Sequence, residues 1–156
     1  MAVVSGVATC LWFADNNGHE AAAFWCDLLP DSRITMVMPG PDSAPIAVAF
    51  ELMGTRYQAL NGGPRNRLGE ETSIVIETDT QAETDRLWSA LSEGGEPLQC
   101  GWLRDRFGVH WQIAPKGLWE MNSDPDRAAA KRSFDAMLTM DKIDIAAIRA
   151  AFEGRA

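Results

Sequence analysis

Glu51-Leu-Met-Gly-Thr-Arg-Tyr-Gln-Ala59 and Asp105-Arg-Phe-Gly-Val-His-Trp-Gln-Ile113 share one order of residue types: acid, two residues, Gly, two residues, aromatic, Gln, apolar. The mixture of apolar and polar positions after each Gly predicts a strand leaving a tight turn. The recurrence predicts two copies of one unit. Upstream, Phe24-Trp25-Cys26-Asp27-Leu28 parallels Leu87-Trp88-Ser89-Ala90-Leu91. In each, the first apolar residue and the Leu lie four apart on one helix face. Before each helix, Thr9 to Asp15 and Ser73 to Asp79 read as a strand ending in Asp. The copies are offset by 64 residues at Asp15/Asp79, 63 at Trp25/Trp88 and 54 at Gln58/Gln112. The surplus in the first copy falls at Met38-Pro-Gly-Pro-Asp-Ser-Ala-Pro45, a loop by its Pro and Gly content.

Each copy therefore reads as a βαβββ unit, and the fold class is α+β. The first unit covers about 1–64, with a strand over 3–13, a helix over 18–29 capped from Asp15 to Asn17, and strands over 32–38, 46–53 and 55–61. The second covers about 70–115, with a strand over 72–78, a helix over 80–93 ended by Gly94-Gly95, and strands over 97–104 and 109–114. A helical tail over about 117–156 follows. It has helices at 117–122, at 124–140 with Asp124 as cap and Pro125 in the first turn, and at 144–153 with Ile145, Ile148 and Phe152 on one face. The whole is expected to be one domain of 1–156. Two such units side by side would enclose a cleft.

The 156 residues are 46% hydrophobic and 23% charged, enough to build a buried core. The net charge of −8 disfavours nucleic acid and anionic membranes as partners, because phosphate binding needs a positive surface. No apolar run is long enough to span a bilayer, and the N-terminal stretch lacks the basic segment of a signal peptide. The odd cysteine count (Cys10, Cys26, Cys100), with none at metal-ligand spacing, predicts reduced thiols and a cytoplasmic location.

Several stretches carry a resemblance: Cys10-Leu-Trp-Phe13, Ala59-Leu-Asn-Gly-Gly-Pro64, Gln99-Cys-Gly-Trp-Leu-Arg-Asp-Arg-Phe-Gly108, Trp111-Gln-Ile113 and Met137-Leu-Thr-Met-Asp-Lys-Ile-Asp-Ile145. On them the chain resembles the PhnB-like group, labelled "3-demethylubiquinone-9 3-methyltransferase". That group is part of the glyoxalase/bleomycin-resistance/dioxygenase, or vicinal oxygen chelate, superfamily. The resemblance covers nearly the whole chain. It implies a homodimer of paired βαβββ units.

It also implies where a metal would sit. Metal-dependent members place two ligands on the first strands of the units and two on the last strands. The last-strand positions fall here on Gln58 and Gln112, and the first-strand positions on Ala8 or Thr9 and on Thr72 or Ser73. None of these is the imidazole, thiolate or carboxylate that a divalent ion wants. The expectation is no metal and no cofactor. Two carboxamides would instead clamp a polar, uncharged part of a ligand, or else bond to neighbouring backbone.

His110 shares the strand face of Gln112 and is weighed as a general base against an ordinary polar strand residue; Arg56 is its counterpart. Cys100 has Arg104 and Arg106 nearby but no His partner, so a structural thiol is expected; Cys10 and Cys26 read as core fillers. Trp12, Phe13, Trp102 and Trp111 line either a pocket or the core, while Trp25, Trp88 and Trp119 lie on helices and are expected to pack on the sheet. Asn61-Gly62-Gly63-Pro64 forms a turn followed by Arg65 and Arg67, which reads as a solvated basic loop or an anion receiver.

The expected ligand-binding set is Thr9, Trp12, Gln58, Asn61, Ser73, Trp102, His110 and Gln112. The expected function is a metal-free protein binding a small-molecule ligand in the cleft between the units. The alternative is an enzyme of isomerase, lyase or transferase type, and a third reading is an interaction module built on the tail helices. The methyltransferase label finds no support in a glycine-rich turn, since Pro-Arg-Asn-Arg follows Gly63 with no helical pattern.

Overall fold

A computed structural model describes residues 5–41 and 44–155. The start of the first expected strand and two residues of the Pro-Gly loop lie outside the described residues. The chain divides into two compact units, one up to Leu68 and one from Gly69 onward, and the tail helices belong to the second.

The first unit contains β1 (Thr9–Phe13), α1 (Gly18–Leu28), β2 (Arg33–Met38), β3 (Ala47–Leu52) and β4 (Thr55–Asn61). Its sheet has the order β1-β4-β3-β2, with β1 and β4 parallel and the other pairs antiparallel. Alternate residues of β1, β3 and β4 (Leu11, Phe13, Val48, Phe50 and Ala59) are buried on the face that α1 covers. Trp25 of α1 fills the centre, with its ring 6.1 Å from that of Phe13 and 5.8 Å from that of Phe50. Close packing sets the residue at the helix start: a Cβ on Gly18 would sit 2.9 Å from Ala59, Asn61 and Phe13. No Asp15–Asn17 side chain caps α1; Asn61 Oδ1 accepts from Gly18 N–H at 2.9 Å instead. The β3–β4 hairpin turns on Met53 (φ 48°) and Gly54 (φ 83°), both in the left-handed region that a two-residue turn demands.

The second unit contains β5 (Ser73–Thr78), α2 (Gln81–Ser92), β6 (Glu96–Pro97), β7 (Trp102–Arg104), β8 (His110–Pro115), α3 (Leu118–Asn122), α4 (Arg127–Met137) and α5 (Ile145–Phe152). Its sheet repeats the topology of the first, in the order β5-β8-β7-β6 with β5 and β8 parallel. Ile74, Ile76, Leu103, Trp111 and Ile113 of the sheet and Leu87 and Leu91 of α2 are buried. Thr80 caps α2 by accepting from Glu83 N–H.

The expected strand over 97–104 is two short strands separated by an irregular stretch. There Cys100 (φ 63°) and Gly101 (φ 82°) adopt left-handed backbone. Their amides donate to Met140 and Asp141 carbonyls, each at 2.7 Å, while Gly101 O accepts from Ile113 N–H of β8 at 2.8 Å, so this segment bonds to the tail as well as to the neighbouring strand. The cap of α4 is Asp126, not Asp124: Asp126 Oδ1 accepts from Ala128 and Ala129 amides, and Asp124 Oδ1 is occupied by Asp126 N–H. The tail has its own core of Ala114, Leu118, Met121, Ile143 and Ile148. Gln81 ties it to the start of α2, donating to Ile143 O at 2.9 Å and accepting from Ile145 N–H at 3.1 Å.

Candidate functional site

Each sheet has a second face, opposite its long helix, and the repeated glutamines occupy that face. In the first unit, Gln58 is in register with Cys10 on β1 and Ala49 on β3. In the second, Gln112 is in register with Val75 on β5 and Trp102 on β7. The first-strand neighbours of the glutamines are thus Cys10 and Val75. Thr9 alternates with Leu11 and Phe13 onto the α1 side, whereas Ser73 lies on the Gln112 face beside His110.

The two faces have different environments. Gln58 and Cys10 are exposed, so Cys10 is not the core filler that the sequence suggested: β1 presents it on the face that α1 leaves bare. Trp12 Nε1 donates to Gly63 O at 2.8 Å, with the Arg65 guanidinium 5.0 Å above its ring. Asn61 uses both ends of its amide, accepting from Gly18 and donating to Pro45 O at 2.8 Å. Trp12 and Asn61 therefore fasten the Asn61–Pro64 turn, and Arg67 pairs with Asp15 at 3.4 Å across exposed surface.

In the second unit, Gln112 Nε2 donates to Ser73 Oγ at 2.8 Å. No described residue donates to its Oε1. His110, two positions away on the same face, is 4% exposed, and its Nδ1 has no partner among the described residues. Beyond Gln112, α3 and α4 close over the sheet and leave a cavity of about 320 Å³. Trp102, Gln112 and Ala114 form its sheet side, and Trp119, Phe134 and Met137 its helix side. Cys100, Asn122 and Ser123 bring the remaining polar or thiol side chains of its lining. Every lining residue comes from the second unit. Burial, with the Asp141 carboxylate nearby, pushes the Cys100 thiol up, so it stays protonated at neutral pH. Asn122 Oδ1 accepts from Ser133 Oγ at 2.6 Å, and its Nδ2 points at Met137 Sδ at 3.5 Å.

Of the expected site residues, only Trp102 and Gln112 line this cavity; Ser73 touches it through Gln112. Sequence reasoning missed the tail contribution. Its one visible signal was surplus: Trp119 (58% exposed) and Phe134 (45% exposed) are large apolar residues beyond what the tail core absorbs.

The positions that the resemblance would give a metal do not suit one here. The residues facing one another there are Gln58 with Cys10 and Gln112 with Val75, and among the described residues no group of three or more His, Cys, Asp or Glu could hold an ion. Neutral amides beside one thiol or an alkyl group leave a divalent charge uncompensated.

The family model described as 3-demethylubiquinone-9 3-methyltransferase matches residues 5–114. It takes in both sheets up to the penultimate residue of β8. The tail stretch Met137–Ile145, counted above among the resembling segments, lies outside it. Among solved structures, the chain is similar to the PhnB protein from Bacillus cereus (24% identity, TM-score 0.63, covering 71% of this chain and 99% of that one). It is also similar to PA1353 from Pseudomonas aeruginosa (22% identity, TM-score 0.60, 72% and 98%), and to SA1046 from S. aureus (18% identity, TM-score 0.51, 72% and 94%). These likenesses show the fold, a chain built of two βαβββ units. No curated protein matches the chain.

Proposed function

The chain belongs to the 3-demethylubiquinone-9 3-methyltransferase family, and from that premise we propose that it is a metal-free protein that binds a small molecule in the cavity of its second unit. The supporting observation is the cavity itself: about 320 Å³ between β7–β8 and α3–α4, within the size range of small-molecule pockets, with an apolar wall and few polar groups. The family's name speaks of methyl transfer, but the turn after β4 does not favour a nucleotide. From Gly62 the chain runs irregularly into β5, with no helix N-terminus to receive phosphate.

Occupancy is tested with the thiols as reporters. A ligand that quenches tryptophan fluorescence saturably is expected to slow alkylation of Cys100 and leave exposed Cys10 unaffected. Saturable quenching with an unchanged Cys100 rate would place the ligand elsewhere and sink the reading.

The enzymatic alternative draws on one observation, the buried His110 beside Gln112, whose Nδ1 has no partner among the described residues. If it is right, purified protein converts a bound ligand to product and His110→Gln abolishes turnover while binding persists. The proposal also includes a homodimer. Edge strand β2 exposes Met36, Val37 and Met38, at 44–47% each, and unpaired strand edges with apolar side chains favour association. Light scattering coupled to gel filtration checks this: a mass near 17.1 kDa, that of one chain, counts against it.

A further inference from the structure

Resting on the cavity reading above, we propose that the ligand is a neutral aromatic molecule of about two fused rings, carrying a hydrogen-bond donor that the Gln112 carboxamide receives. Size comes first. A cavity of about 150 Å³ takes benzene, and this one, at about 320 Å³, has room for a second ring. The wall then selects for flatness: Trp102, Trp119 and Phe134 offer three ring systems, and aromatic rings prefer offset or edge contact with other rings.

Charge is the next filter. No Asp, Glu, Lys, Arg or His lines the cavity, and the Cys100 thiol remains protonated. An ionised ligand would lose water with no counter-charge to meet it. The last filter is the direction of the hydrogen bond. Asn122 has its acceptor taken by Ser133 and its donor turned to Met137. Gln112 gives one amide hydrogen to Ser73, and its Oε1 accepts from no described residue, so this oxygen stands ready to receive a donor. Gln58, the matching residue of the first unit, is exposed and has no such enclosure. The tail thus makes a recognition site of one glutamine of the pair and leaves the other in solvent.

The test titrates the full chain at pH 7, by tryptophan fluorescence and calorimetry, with four probes on one carbon framework: 1-naphthol, naphthalene, 1-naphthoate and decahydro-1-naphthol. 1-Naphthol is expected to bind at least about tenfold more tightly than each of the other three, the difference that one well-placed interaction makes. Gln112→Met is expected to bring 1-naphthol down to the level of naphthalene without changing naphthalene, which separates loss of the handle from loss of the fold. Equal binding of naphthoate overturns the neutral class. Equal binding of the decahydro alcohol overturns the aromatic class, and an undiminished naphthol preference in Gln112→Met overturns the role of Gln112. In those three cases the cavity reading survives. Failure of all four probes to bind overturns both.

Discussion

Gln112 reaches across the parallel pair β5–β8 to Ser73, donating at 2.8 Å to a hydroxyl that stands in register not with Gln112 but with His110. This diagonal contact fixes the carboxamide on the cavity wall. Ser73→Ala removes it. The expected cost is about 1 kcal/mol of stability, one side-chain hydrogen bond. Urea unfolding measures that loss, and the same variant is expected to bind 1-naphthol more weakly than wild type because the carboxamide is free to rotate.

The acids that open the two repeated stretches predict very different losses. Asp105 is 1% exposed and accepts from Phe107 N–H (2.9 Å), Val109 N–H (3.0 Å) and Trp111 Nε1–H (2.9 Å). Glu51 meets Arg33 at 2.6 Å in a pair whose arginine is 68% exposed. Asp105→Ala removes the acceptor of all three bonds, two of them buried, and is expected to cost roughly 3 kcal/mol or more, whereas Glu51→Ala costs under about 1 kcal/mol. Similar urea midpoints for the two variants would contradict this.

Thr78 and Thr84 share a buried hydrogen bond at 2.6 Å, and Thr84 Oγ1 also contacts Thr80 O at 3.1 Å. Thr84→Val leaves the Thr78 hydroxyl without its partner, at an expected cost of about 1–3 kcal/mol. Thr78→Val in the same chain removes the orphan. The double variant is therefore expected to be more stable than the sum of the singles predicts, which a thermodynamic cycle reads directly.

Thiol chemistry ranks the cysteines. Burial raises the Cys26 thiol above its ordinary value, and burial together with Asp141 raises Cys100; Cys10 is exposed. A raised pKa means less thiolate at a given pH, and thiolate is the reactive form. Iodoacetamide at pH 8 is expected to modify Cys10 first, which peptide mass spectrometry can follow.

A cation is expected to matter little. Dialysis against a chelator should leave the thermal midpoint where it was, and elemental analysis should return metal well below one equivalent. Stoichiometric zinc, iron, nickel or manganese would overturn the metal-free reading.

The architecture was readable in the sequence because its devices leave marks on single residues. Gly54 (φ 83°) and Gly108 (φ 87°) occupy left-handed turn positions that few other residues tolerate, and the strands after them place Gln58 and Gln112 alike. The function of a shared letter was less readable. Glu51 sits in a strand with an exposed ion pair, while Asp105 folds a three-residue turn onto its own carboxylate, so one motif has two mechanical meanings. Register differs from expectation in both units: the resemblance puts the first-strand positions at Ala8 or Thr9 and at Thr72 or Ser73, but Cys10 is opposite Gln58 and Val75 opposite Gln112. Strand parity depends on loop lengths that the matched residues do not report. Apart from the surplus apolar residues Trp119 and Phe134, the cavity left no signature in the sequence. It arises where α3 and α4 fold back on β7 and β8, through carbonyls of Met140 and Asp141 that no side-chain pattern announces.

The family match stops at Ala114, and the helices that roof the second sheet begin at Leu118. The two repeated units therefore differ by a helical segment that lies beyond the match. The helix wall of the proposed site thus lies outside the matched segment, and a chimera carrying a different C-terminal segment of some forty residues is expected to change probe preference while both sheets stay intact.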